Sequence, residues 1–108
     1  MTENISPQEA YAKITRGDAY GIDVRESDEW IAGHAAGVTW NPLSNFNEAS
    51  LASDKPLIFI CRSGNRSGRV CQALASTRSD IFNMVGGMQA WHAAGFPMVS
   101  DIGDPRVA

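Results

Sequence analysis

A chain of 108 residues, 44% apolar and 19% charged, is long enough for one domain around one core. Its net charge of −3 excludes a general attraction to nucleic acid or anionic lipid. No apolar run approaches the roughly 20 residues that a membrane helix needs, and the opening MTENISPQEA lacks a basic segment followed by an apolar one, so a cytoplasmic location is expected.

The spacing predicts a first helix over residues 5–17, with Ser6 as N-cap, Pro7 in the first turn, Glu9 completing a capping box and Gly17 as a stop. YGIDV at 20–24 reads as a short strand ending at Asp23-Val24-Arg25. A second helix starts near Ser27, with Asp28 and Glu29 suiting its dipole, and Gly33 ends it. VTW at 38–40 is a strand closed by Pro42, and residues 44–55 are a polar turn and loop. LIFI at 57–60 is apolar throughout, the pattern of a strand covered on both faces. Val70, Cys71, Leu74 and Ala75 then mark one face of a helix over 67–76. IFNMV at 81–85 is a strand, Gly86-Gly87 turn the chain, and Met88 and Trp91 lie on a last helix ended by Gly95 and Pro97. Strands alternating with helices predict one α/β domain over residues 1–98, a mainly parallel sheet flanked by helices. Residues 99–108 are expected as a loose tail.

Seven of the nine basic residues are arginines, and three of these crowd into CRSGNRSGR at 61–69. In open α/β sheets ligands bind beyond the carboxyl ends of the strands, and Cys61 stands at that end of LIFI. A helix N-terminus near Ser67 brings free N–H groups that favour an anion. Successive loop N–H groups converge into a nest, and Gly64 permits the turn. This setting lowers a thiol pKa, so Cys61 is expected to be a thiolate nucleophile. Cys71 shares a face with Val70 and Leu74 and reads as core. Two cysteines and two histidines in these positions make no metal-ligand pattern, and no phosphate-loop motif is present, so neither metal nor cofactor is expected.

Cys61-Arg62-Ser63-Gly64-Asn65-Arg66-Ser67 resembles the active loop of the rhodanese family, Cys-x-x-Gly-x-Arg-Ser/Thr. IDVRESDEWIAGHAAG at 22–37 and VGGMQAWHAAGFPM at 85–98 are similar to that family's other two signatures, in the same order. The resemblance implies a rhodanese domain with helices on both faces of the sheet. It implies sulfur transfer from a small anionic donor such as thiosulfate, through a persulfide on Cys61, to cyanide or a thiol, protein thiols included. It also implies that Arg62, Ser63, Gly64, Asn65, Arg66 and Ser67 form the substrate and persulfide loop. Arg66 is expected to brace it by a forked pair with Asp23 or Glu26, in the Asp23-x-Arg25 turn region. Ser67 is expected as helix N-cap, with its hydroxyl towards the sulfur. Arg62 is expected to raise the local potential, Arg69 reads equally as doing so or as a solvated surface arginine, and His34 is expected to be structural. Ala35-Ala36 and Asn41 depart from the family pattern, where packing or the rim of the site is affected.

Two other classes remain open at this level. Cysteine phosphatases and arsenate reductases also close a loop between Cys and Arg, but with five intervening residues where this chain has four. A non-catalytic interaction module, or a persulfide carrier without turnover, keeps the fold and changes the use.

Overall fold

The computed structural model describes residues 3–108. Its centre is β5 (Leu57–Ile60), all four residues of which are fully buried. Strand side chains alternate between faces. Ile58 and Ile60 join a core with Ala10 of α1 (Pro7–Thr15) and with Met88 and Trp91 of α4 (Gly87–Ala93). Leu57, Phe59 and Cys61 join a second core with Val70, Cys71 and Leu74 of α3 (Asn65–Leu74). The unbroken apolar run is thus explained by helices on both faces.

Around β5 lie β1 (Glu3–Ile5), β2 (Tyr20–Asp23), β4 (Thr39–Trp40) and β6 (Ile81–Met84), in the order β1-β6-β5-β2-β4. Every neighbouring pair is parallel, with Ile22 opposite Phe59 and Phe59 opposite Asn83. This is the expected α/β architecture. A small antiparallel pair, β3 (His34–Ala35) with β7 (Met98–Val99), closes one end. Two 3-10 turns, Leu43–Asn45 and Glu48–Ser50, fill the stretch before β5. No helix among the described residues is long and apolar enough to cross a membrane.

The first helix is capped as expected, with the Glu9 N–H donating to Ser6 Oγ at 3.1 Å, but it begins at Pro7 because residues 3–5 form β1. Only Ile5 of that strand is buried, too little periodicity to reveal it. The segment 99–108 is not loose. Ser100 Oγ donates to the Ile31 carbonyl at 2.9 Å, the Arg106 N–H donates to that of Ala32 at 3.0 Å, and Val107 packs on the core. Gly33 admits this approach: a Cβ there would stand 2.5 Å from the Arg106 carbonyl oxygen.

At the carboxyl end of β2, Asp23 and Arg25 form an ion pair with no side-chain exposure. Asp23 accepts from the Arg25 N–H, Nε and Nη2, and Nη2 also donates to the Gly33 carbonyl at 2.7 Å. Among the described residues, Arg25 Nη1 has no partner. A buried pair of this kind is costly to form and costlier to break, because removal of one member strands the other. Arg25→Ala should therefore lower the free energy of unfolding by about 3–5 kcal/mol, measured by urea titration. A loss of only about 1 kcal/mol or less, the worth of an exposed pair, would contradict this account of the turn.

Candidate active site

The parity of β5 places Cys61 on the α3 side, directly under the start of that helix. Gly64 has a φ of 101°, a left-handed conformation that a side chain disfavours, and it turns the loop into α3 at Asn65. The helix thus begins two residues before Ser67, which is not its N-cap. Ser67 instead sits in the first turn, fully buried, with Oγ 3.3 Å from Cys61 Sγ. The other role expected of it, a hydroxyl towards the sulfur, is the one the fold uses. Gly64 N–H donates to Sγ at 3.0 Å.

The loop's carbonyls are drawn away from the sulfur. The Met88 N–H donates to the Cys61 carbonyl at 2.8 Å, and the Gln89 N–H donates to that of Arg62 at 3.0 Å. These are otherwise unpaired donors of the first turn of α4. Gly87, with a φ of 55°, makes the contact close: a Cβ there would stand 2.6 Å from the Arg62 carbonyl oxygen. The sequence reading placed Gly86-Gly87 at a turn and within a family signature, and missed this support.

Burial pushes the Cys61 thiol up. The hydrogen bonds from the Ser67 hydroxyl and from the N–H groups of Ser67, Gly64 and Ser63 outweigh it, and the net shift is down. Cys71 has burial without such donors and is pushed up to about 11. It lies in the core, as expected.

Arg66 is a brace, but neither Asp23 nor Glu26 is its partner. Its Nη1 and Nη2 donate to the two carboxylate oxygens of Glu29, both at 2.7 Å. Asp23 is occupied by Arg25, and Glu26 Oε2 turns to the Ser44 N–H at 3.2 Å. Glu29 lies on α2 (Ser27–Ala32), where its Oε1 also accepts the Glu26 N–H at 3.1 Å. The Arg66 guanidinium holds the Glu29 carboxyl below the usual range, and Glu29 raises Arg66 in turn.

The remaining loop residues spread outward. Ser63 and Asn65 are exposed, as is Arg62, whose Nε donates to the Ala108 carbonyl at 2.9 Å. Arg69 is exposed and flanks an apolar hollow formed by Leu43, Phe46, Val70 and Leu74. Asn41 clamps the loop above it, bonding both the N–H and the carbonyl of Asn47. Trp30 is half-buried: it stacks on His34 at 3.4 Å and against Trp40 at 5.7 Å. His34 Nδ1 lies 3.0 Å from the Trp30 carbonyl, a structural contact.

Asn83 on β6 is a member of the site that the sequence reading missed. It bonds Ser67 and the Gly64 carbonyl. The signal was a polar residue at an inward position of IFNM, two after Ile81.

Comparison with known proteins agrees with this fold. The family model described as Rhodanese-like domain matches residues 6–94. The chain belongs to the rhodanese-like domain family. A rhodanese-related protein of Thermoplasma volcanium superimposes with a TM-score of 0.81 at 32% identity, over 90% of this chain and 97% of that one. YtwF of Bacillus subtilis, provisionally named a sulfurtransferase, is 38% identical over 68% of this chain and 74% of its own length. Two uncharacterized proteins, slr1261 of Synechocystis and YqhL of Bacillus subtilis, are 38% and 37% identical over 72% and 65% of this chain. The chain spans only 45% and 58% of those two relatives.

The two thiols should separate by reactivity. Thiolate is the reactive form, so Cys61 should be alkylated by iodoacetamide with a midpoint below the ordinary thiol value of about 8.5. Cys71 should stay unmodified at neutral pH in the folded protein. Peptide mass spectrometry across a pH series checks both, and equal labelling of the two cysteines at pH 7 would contradict the assignment.

Proposed function

We propose that this domain is a sulfurtransferase in which Cys61 carries the transferred sulfur as a persulfide. The observation that carries the reading is the ring of donors on one sulfur: Gly64 N–H at 3.0 Å and Ser67 Oγ at 3.3 Å, in a loop with four residues between Cys61 and Arg66. The relative named as a sulfurtransferase supports it.

The Cys61 thiolate attacks the outer sulfur of thiosulfate. The Sγ–S bond forms, the S–S bond of the donor breaks, and its electron pair leaves on sulfite. A nucleophilic acceptor, cyanide or a thiolate, then attacks the outer sulfur and releases the Cys61 thiolate. Neither step requires a general acid, since sulfite and thiolate leave as anions. Covalent catalysis of this kind divides one transfer into two easier ones. Only 1% of Cys61 is exposed, which favours a small donor. A persulfide places the reacting sulfur about 2.05 Å further out, where an acceptor meets it.

The phosphatase reading is disfavoured by the same geometry. Both terminal nitrogens of Arg66 are engaged by Glu29, and a ring of four intervening residues encloses less space than one of five. A carrier that passes its persulfide to a partner thiol uses the same first step.

Mass spectrometry after incubation with thiosulfate should show the mass of one added sulfur on the Cys61 peptide, removed by cyanide. Cys61→Ser should fold normally and lose thiosulfate:cyanide sulfur transfer to background. Retained transfer in that variant would refute the mechanism, and a wild-type Cys61 that never gains sulfur would point to a non-catalytic module.

A further inference from the structure

Ser67 Oγ stands 3.3 Å from Cys61 Sγ and 2.5 Å from Asn83 Oδ1. A serine hydroxyl has one hydrogen and cannot donate to both. The orientation of the Asn83 amide is set from its other side. Nδ2 donates to the Gly64 carbonyl at 3.1 Å and to Asn4 Oδ1 at 3.2 Å. The Gly64 carbonyl only accepts, so the amide nitrogen faces it and Oδ1 faces Ser67. An amide oxygen also only accepts. The hydroxyl hydrogen of Ser67 is therefore contested between an amide oxygen and the sulfur.

With Cys61 as a thiol the contest is resolved. The S–H donates to Ser67 Oγ, and the hydroxyl donates to Asn83 Oδ1. With Cys61 as a thiolate the sulfur accepts, and the hydroxyl hydrogen must swing to it. Asn83 is buried, at 7% exposure, so its oxygen is then left without that donor. An unsatisfied buried acceptor carries a penalty. We propose that Asn83 is a positioning residue that restrains how readily Cys61 gives up its proton, by competing for the single hydroxyl hydrogen of Ser67. This rests on Cys61 being the nucleophile of the proposed function.

The restraint has a chemical use. Thiolate nucleophilicity falls as its pKa falls, and the best attacking thiol has a pKa near ambient pH. A cradle of N–H donors alone overshoots towards a stable, sluggish thiolate. An acceptor behind Ser67 pulls in the other direction.

The charges around Cys61 are the same whichever way the hydroxyl points. Arg66 of α3 lies nearby with Glu29 of α2 behind it. Arg62 follows in the chain, and the buried Asp23–Arg25 pair ends β2. Cys71 of α3 shares the core cluster with Cys61 and is kept neutral by burial. β6 carries no titratable side chain, and α4 carries only His92, in its last turn. Replacing Asn83 by an apolar residue removes no charge, so a change in the Cys61 midpoint reports the hydrogen bond.

The test is a thiol titration, by iodoacetamide rate against pH, of the wild type, Asn83→Leu, Ser67→Ala and the double variant. Asn83→Leu should lower the Cys61 midpoint by about one unit, which is roughly tenfold more thiolate at a pH below both midpoints. Ser67→Ala alone should raise the midpoint, since a donor to the thiolate is lost, and adding Asn83→Leu in that background should leave it where Ser67→Ala put it. If Asn83 merely braces the loop through the Gly64 carbonyl, its loss slackens the cradle. A midpoint unmoved or raised in Asn83→Leu, or an equal fall in both backgrounds, would therefore overturn the proposal. Asn83→Ala is read on the same terms if Asn83→Leu does not fold. Sulfur uptake from thiosulfate is scored separately by mass, so failure of the sulfurtransferase reading leaves the titration readable.

Discussion

The N–H groups of the Cys61 loop can converge on one sulfur only because its first two carbonyls are drawn the opposite way. The first turn of α4 does this, with Met88 and Gln89 donating to the Cys61 and Arg62 carbonyls. Each bond satisfies a donor that a helix start would otherwise leave open. It also fixes the rotation of a peptide plane, and with it the direction of the next N–H. Glycine at position 87 is needed for the approach. Two helix N-termini thus meet at Cys61. That of α3 surrounds the sulfur, and that of α4 orients the loop that surrounds it.

The rest of the molecule serves that junction. β5 is buried on both faces, so the residue after it has a fixed height and a fixed side. Alternation puts Cys61 with Leu57 and Phe59 under α3, and puts Asn83 of the neighbouring strand on the same side. The Arg66–Glu29 fork ties α3 to α2 across the mouth of the loop. Behind it, the Asp23–Arg25 pair sits where water does not reach and ties the end of β2 to Gly33. The positive charge that was conspicuous in the sequence is therefore partly structural. Two of the arginines near the site are held by carboxylates, while Arg62 and Arg69 are exposed.

Much of this was legible in the sequence. LIFI announced a buried strand by its unbroken run, and Cys61 followed at the chemically informative end. Val70, Cys71 and Leu74 announced the face of α3. The limit was reached wherever the answer depended on distant partners. Asp23 and Glu26 were reasonable partners for Arg66 by charge, yet the choice of Glu29 follows from how α2 is rotated above the loop. The start of α3 was placed late because Ser67 looks like a cap, whereas the turn at Gly64, itself expected, already leads straight into the helix at Asn65. β1 and the docked segment 99–108 were missed because each buries few apolar residues, and backbone hydrogen bonds leave no compositional mark.

The central claim is that this cradle is built for a charged sulfur and not for a phosphoryl group. The most direct measurement is steady-state turnover of thiosulfate with cyanide beside hydrolysis of an aryl phosphate, on one preparation and against Cys61→Ser as the blank. The account predicts Cys61-dependent turnover of thiosulfate and phosphate hydrolysis indistinguishable from the blank. Cys61-dependent hydrolysis of the aryl phosphate at a rate matching sulfur transfer would contradict it.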